Sequence, residues 1–180
     1  MKVKISTKLF ASLGVILIMV SILGSVFYLS MRNVEEKKTE ALALSELNTF
    51  FSERVVDHLK WVDGLSSGLF IQGKEFQGKL DPTECNLGKW MKSFKPYSQE
   101  IAGPFEKLDE PHKRLHESAR EIISHMKAGQ KESAYGIFIS DTLPAVSTVQ
   151  EQLKIMKDIL KKDEKIKDKQ LETTIRKTIT

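Results

Sequence analysis

Residues 9–31, LFASLGVILIMVSILGSVFYLSM, run for 23 positions without a charge between Lys8 and Arg32. A helix rises about 1.5 Å per residue, so about 20 such residues cross the hydrocarbon core of a bilayer. Lipid offers no hydrogen bonds to an exposed backbone, so a single apolar span must be helical. Glycine and serine are acceptable in such a helix, and Phe27 and Tyr28 stand near its exit, where aromatic rings favour the interface. The apolar region of a cleaved signal peptide is shorter, about 7–15 residues, and ends at a small-x-small site. No convincing site of that kind follows, and the run reads as an uncleaved anchor in the inner (cytoplasmic) membrane. Lys2, Lys4 and Lys8 precede it and Arg32, Lys37 and Lys38 follow it, so the positive-inside count is a tie. A short cytoplasmic tail over residues 1–8 with the long domain translocated is the commoner layout. The expectation is therefore a single-pass chain with its soluble domain in the periplasm.

Charge placement removes one class of function. The net charge is +4, yet residues 1–32 hold four bases and no acid, which leaves 24 basic and 24 acidic residues in the rest. A nucleic-acid binder carries its basic excess on the folded domain; none is expected here, so no nucleic-acid partner is assigned. The single cysteine excludes an intrachain disulfide, a CxxC redox pair and an all-cysteine zinc site, but not a mixed Cys/His site.

Beyond the anchor there is little strand-like alternation, and glycine and proline punctuate long helical stretches. The spacing predicts a first helix from about residue 33 into the low seventies, continuous with the membrane helix. Leu42, Leu44, Leu47, Phe50, Phe51, Val55, His58, Leu59, Val62 and Leu65 form its apolar side. A glycine-containing loop is expected over residues 73–80. A short helix then starts with Asp81 as N-cap and Pro82 at its first position, and carries Cys85, Leu87, Trp90 and Met91. Gly103-Pro104 marks a further start, for a helix holding Phe105, Leu108, His112, Leu115, His116, Ala119, Ile122, Ile123 and Met126. Pro111 either kinks that helix or moves its start to Asp109 as N-cap. It ends near Ala128-Gly129, and a last helix runs from about Gln130 to the C-terminus, bent or broken near Pro144. The fold class is all-α: an antiparallel four-helix bundle with one short helix over residues 32–160, built on the transmembrane helix, with residues 161–180 as a helical extension. The pattern still reads as helix at Thr180, which leaves two expectations, a fragment of a longer receptor in which a second membrane helix would follow, or a genuinely short protein.

The four histidines are His58, His112, His116 and His125. His112 and His116, in HKRLH, stand at i and i+4, which puts both imidazoles on one helix face. His58 lies on the apolar side of the first helix and Cys85 on the short helix between them. Three imidazoles and one thiolate make a tetrahedral donor set suited to zinc. A lone histidine on an apolar face is more often a core residue, and a lone cysteine a small buried hydrophobe. Spacing alone leaves both readings open. His125, nine residues after His116, points elsewhere.

His58-Leu59-Lys60-Trp61, Cys85-Asn86-Leu87-Gly88-Lys89-Trp90 and His112-Lys113-Arg114-Leu115-His116 follow one another in order. This arrangement resembles the chemoreceptor zinc-binding (CZB) domain, whose pattern is a histidine, a CxLGxW-type motif and a closing HxxxH. The resemblance covers about residues 50–125, and the last helix completes the family's four-helix bundle. It implies that His58, Cys85, His112 and His116 are ligands of Zn2+. The family is found attached to methyl-accepting chemotaxis proteins and diguanylate cyclases as a regulatory zinc-binding and redox-responsive sensor. Many members are cytoplasmic and lie C-terminal to a signalling region, whereas here the motif follows an N-terminal anchor. Gly88 is expected to let a neighbouring helix approach, and Trp61 and Trp90 either to wall the site or simply to pack in the core.

Lys113 stands where a metalloprotease-type HExxH motif requires glutamate, and no GxSxG elbow, phosphate-binding glycine loop or acid–base pair is present. The chain is therefore expected not to be an enzyme. The expected function is a membrane-anchored zinc-binding sensor of a bacterial chemoreceptor-type transducer, a homodimer by analogy. It would address the chemotaxis machinery only if a cytoplasmic output region exists. A zinc buffer at the membrane, and a small-ligand sensor that uses zinc only as a staple, are the alternatives.

Overall fold

In the computed structural model, which describes residues 5–179, every regular element is a helix. Helix α1 spans Ile5–Asp63 and passes into a π-helical segment, Gly64–Ile71. Helices α2 (Asn86–Ser93), α3 (Gln99–Glu106) and α4 (Asp109–Lys127) follow. Helix α5 (Lys131–Ile137) leads through a second π-helical segment, Phe138–Thr142, into α6 (Leu143–Ile179). The N-terminal part of α1 is long and apolar enough to cross a membrane, and its large side chains are exposed throughout.

The chain divides into two compact units. In the first, Met1–Leu44 with Asp163–Thr180, α1 and α6 form a two-helix pair. Val34, Lys37, Ala41 and Leu44 are half-buried at spacings of three and four, as are Glu164, Lys167, Leu171 and Thr174. Lys167 Nζ donates to Glu40 Oε2 at 2.6 Å where the two helices meet.

The second unit, Ser45–Lys162, is an up-down-up-down bundle, as its side-chain pairings show. Trp90 of α2 packs on Phe51 of α1, seven residues before His58, while Cys85 at the start of α2 lies beside His112. The return through α2 is therefore antiparallel to α1. Helix α4 rises again alongside α1, since His58 meets His112 and Trp61 meets His116. Residues 138–160 descend: Phe138 packs with Ile122, Thr142 with Ser118, and Ala145 and Val146 with Leu115. Phe51, Leu65, Leu87, Ile101, Leu108, Leu115, Ile122, Leu153, Met156 and Leu160 are fully buried between these layers.

Several sequence-based expectations move. The short helix does not start at Asp81-Pro82: residues 81–84 form a turn in which the Asp81 carboxylate accepts the Thr83 N–H at 2.8 Å. Cys85, with φ −74° and ψ 162°, is the N-cap of α2, and its Sγ accepts the Gly88 N–H. An aspartate can satisfy a turn as well as a helix end, and the local sequence does not choose. Gly103-Pro104 is no start either; both lie inside α3, which begins after Ser98, whose hydroxyl accepts the Ile101 N–H. The single helix expected over residues 105–126 is broken at Lys107–Leu108, and Asp109 is the first residue of α4 rather than its cap. Pro111 falls in the first turn of α4, where no N–H donor is needed, whereas Pro144 lies within a continuous helical run and follows the π-helical segment, in which the Leu143 N–H bonds to the Phe138 carbonyl. Leu42 and Leu59 lie outside the buried stripe of α1 and are about half exposed.

Candidate metal centre

On α1 the buried positions Phe51, Arg54 and His58 recur at spacings of three and four, and Leu65 of the π-helical segment continues the stripe seven residues on, so His58 sits on the face packed into the bundle. On α4 the same periodicity buries His112, Leu115, His116, Ala119 and Ile122. The two stripes oppose each other, and the turn over residues 81–85 delivers Cys85 beside them. His58, Cys85, His112 and His116 thereby offer four donor atoms that all lie within 4.8 Å of one another. The ring centroids of His58, His112 and His116 are 4.8–6.2 Å apart, and Cys85 Sγ lies 3.1 Å from His112 Nε2.

The tautomers follow from the backbone. His58 Nδ1 lies 2.7 Å from the Arg54 carbonyl and His116 Nδ1 lies 3.0 Å from the Lys79 carbonyl. A carbonyl only accepts, so each Nδ1 carries the proton and each Nε2 presents its lone pair to the cluster. His116 is fully buried, and its Nε2 has no hydrogen-bond partner. An orphaned buried nitrogen is costly unless something binds it. Zinc takes nitrogen donors at about 2.0 Å and thiolate at about 2.3 Å, which needs a contraction of about 1.3–1.5 Å across the widest pair of this cluster. The donor set therefore fits a tetrahedral Zn2+.

Burial pushes His112 down to about 3, helped by His116 and His58 nearby. It pushes His116 down to about 4, with His58 adding to the effect and the Lys79 carbonyl opposing it. His58 is lowered for the same reason, against the pull of its hydrogen bond to Arg54. The imidazoles are thus held neutral, the form that ligates metals. Burial raises the Cys85 thiol, although the Gly88 N–H offsets part of that rise; a bound cation reverses it.

These shifts give the metal-free protein a signed pH dependence. Depressed histidine values mean that the unfolded chain binds more protons below its ordinary value of 6.5. Stability is then present above 6.5 and is lost as pH falls from there towards about 4 and about 3. The raised cysteine value works oppositely: its contribution is present below 9.0 and lost above it. Thermal melts of chelator-treated protein should therefore peak between about pH 7 and pH 8.5. A melting temperature that stays level from pH 7 to about pH 4.5 contradicts this account.

Trp61 touches the site: its ring centroid is 5.0 Å from that of His116, and its Nε1 donates to the same Lys79 carbonyl at 3.0 Å. Trp90 instead joins an aromatic cluster with Phe50, Phe51, Phe94 and Phe105. Gly88 accommodates the Pro82 carbonyl of the preceding turn, and not a neighbouring helix as expected from the sequence. His125 lies outside the cluster, where its Nδ1 meets Gln130 Oε1 at 2.6 Å. It ends α4 in a Schellman turn, with Gly129 at φ +74° and the Gln130 N–H bonded to the His125 carbonyl. The Arg54 and Lys79 carbonyls were not foreseen. Every residue has a carbonyl, so no sequence signal marks the two that orient the ligating rings.

Residues 58–123 match the family model of the chemoreceptor zinc-binding domain, and this span contains all four clustered residues. Neither the comparison with curated proteins nor that with solved structures returned a match.

Proposed function

We propose, from the chemoreceptor zinc-binding domain formed by residues 58–123, that this chain is a membrane-anchored sensory module of a bacterial chemoreceptor-type signal transducer, responding to zinc or an oxidant. The supporting observation is the convergence of His58 from α1, Cys85 from the cap of α2, and His112 and His116 from α4. These four residues would hold the ion, and bound Zn2+ supplies a tetrahedral tie between segments distant in sequence. Four protein donors leave no coordination position for water or substrate, so we read the site as sensory and not catalytic.

A cleft of about 170 Å³ reaches His58, Cys85 and His116, with Asp57 and Glu84 among its lining residues. It gives a cation or a small oxidant access to the sulfur. Loss of the ion, or oxidation of Cys85, removes one tie and frees the start of α2 from α4. Helix α1 carries both His58 and the apolar span, so its displacement against α2 is the event that would reach the membrane. The N-terminal anchor favours a periplasmic domain in this reading, although domains of this family are generally cytoplasmic. A homodimer coupled to the chemotaxis machinery through a cytoplasmic output region completes the proposal by analogy with chemoreceptors.

Spin labels at the exposed positions Val56 on α1 and Lys89 on α2 separate a sensor from a zinc buffer. The expected change in their separation on zinc removal is about 1–2 Å or more, the scale of helix shifts in switching proteins. An unchanged distance with full zinc release favours the buffer.

A further inference from the structure

The three imidazoles of the cluster are not equivalent. His58 and His116 each donate Nδ1–H to a backbone carbonyl. His112 is only 2 % exposed and turns Nε2 to Cys85 Sγ, but no described residue accepts from its Nδ1. Ligating histidines almost always donate their outer N–H to a carboxylate, a carbonyl or water. His112 stands in the wall of a cavity of about 320 Å³ between the 81–85 turn, α2, α3 and α4. Cys85, His58 and His116 line a different cleft, in whose lining His112 has no part. With Nε2 turned to the sulfur, the Nδ1 edge of the ring points away from it, and His112 is among the residues that line this cavity of about 320 Å³.

The cavity is about ten times the volume of one water and lies in the range of small-molecule pockets. Pro82, Met91 and Phe105 give it apolar walls, and the exposed Thr83 and Lys92 also line it. Asp109 and Lys113, also in its wall, are paired with each other, and Glu106 completes the charged lining. Fixed charges therefore balance, and the choice of ligand falls to the metal site. A divalent ion with one thiolate and three neutral imidazoles keeps one net positive charge in a buried place, which favours an anion one imidazole away.

We propose, resting on the zinc reading above, that this cavity is a second binding site for a small organic carboxylate with an apolar body. Its carboxylate accepts the His112 Nδ1–H and so couples its own binding to that of the metal. Outer partners of this kind change metal affinity by about 10–100-fold. Linkage then requires the metal to tighten carboxylate binding by the same factor.

The test uses the full chain in lipid nanodiscs, with benzoate and cyclohexanecarboxylate as probes and benzyl alcohol as the uncharged control. Zinc affinity is read by competition with a chelating dye, and the His112 ring by nitrogen-15 NMR. Each carboxylate at millimolar concentration should tighten zinc about tenfold, bind zinc-loaded protein about tenfold better than zinc-free protein, and shift the His112 Nδ1 resonance. Benzyl alcohol should do none of these. Met91→Trp, which fills the cavity, should abolish the carboxylate effect while zinc still binds. Thr83→Phe, at an exposed turn position, does the same if the first variant misfolds. Zinc affinity indifferent to both carboxylates overturns the second site, as does a carboxylate effect that survives both filled-cavity variants. Failure to bind zinc in the absence of any carboxylate sinks the zinc reading itself and this inference with it.

Discussion

Cys85→Ala and His116→Ala should each weaken zinc binding by at least about 100-fold while leaving the helical content of the chain unchanged. Loss of an outer partner alone costs about 10–100-fold, and loss of a donor costs no less. The argument is strongest for His116, which is fully buried, has its Nδ1 fixed on the Lys79 carbonyl and leaves Nε2 with no partner but an ion. His112→Ala belongs to the same class, since its Nε2 lies 3.1 Å from the sulfur. His125→Ala is the control, because that residue closes the end of α4 instead. Competition titration against a chelating dye gives affinity, and metal analysis gives stoichiometry. Unchanged values for both in Cys85→Ala and His112→Ala would remove the site. Wild-type protein should also melt higher with zinc: at a thousand times its Kd an ion contributes about 4 kcal/mol, which is about 8–16 °C for a chain of this size. The ligand variants should lose most of that increment.

Gly88→Ala has the second large effect. A Cβ built on Gly88 would stand 1.8 Å from the Pro82 carbonyl oxygen and 2.9 Å from its carbon. Both are backbone atoms and cannot rotate aside, so the 81–85 turn must shift as a whole. That turn carries Cys85, whose sulfur accepts the Gly88 N–H at 3.3 Å. Overpacking of this kind costs about 2–4 kcal/mol, or about 5–15 °C in melting temperature, and zinc affinity should fall with it. Gly103→Ala is the contrast: nothing lies within 4 Å of its Cβ position inside α3, so the substitution should be neutral or stabilising by up to about 1 kcal/mol. Thermal melts by circular dichroism distinguish the two. A Gly88→Ala protein that melts within about 2 °C of the wild type contradicts the fixed turn.

Local chemistry was legible along the chain. An uncharged run of 23 residues dictates a helix able to span a bilayer, and spacings of three and four dictate amphipathic helices thereafter. The same spacing put His112 and His116 on one face, and His58 on another buried stripe, before any packing was considered. Helix starts were the weak point. Asp81, Gly103 and Asp109 were the starts read from the sequence, and the structure instead uses Ser98 and Cys85 as caps. The π-helical register of Gly64–Ile71 and Phe138–Thr142 was not read from the sequence, although Pro144, two residues past the second segment, marked an irregularity there.

By itself, then, the sequence determined an apolar span, an all-helical chain and four residues of metal-ligating type in a recognisable order. Side-chain chemistry and periodicity are properties of residue identity, and they survive without a partner. Only the tertiary structure decided that α4 rises beside α1, that the Arg54 and Lys79 carbonyls orient two of the rings, and that His112 lines a cavity. Those facts depend on where backbone atoms from distant segments come to rest, and every residue carries the same backbone.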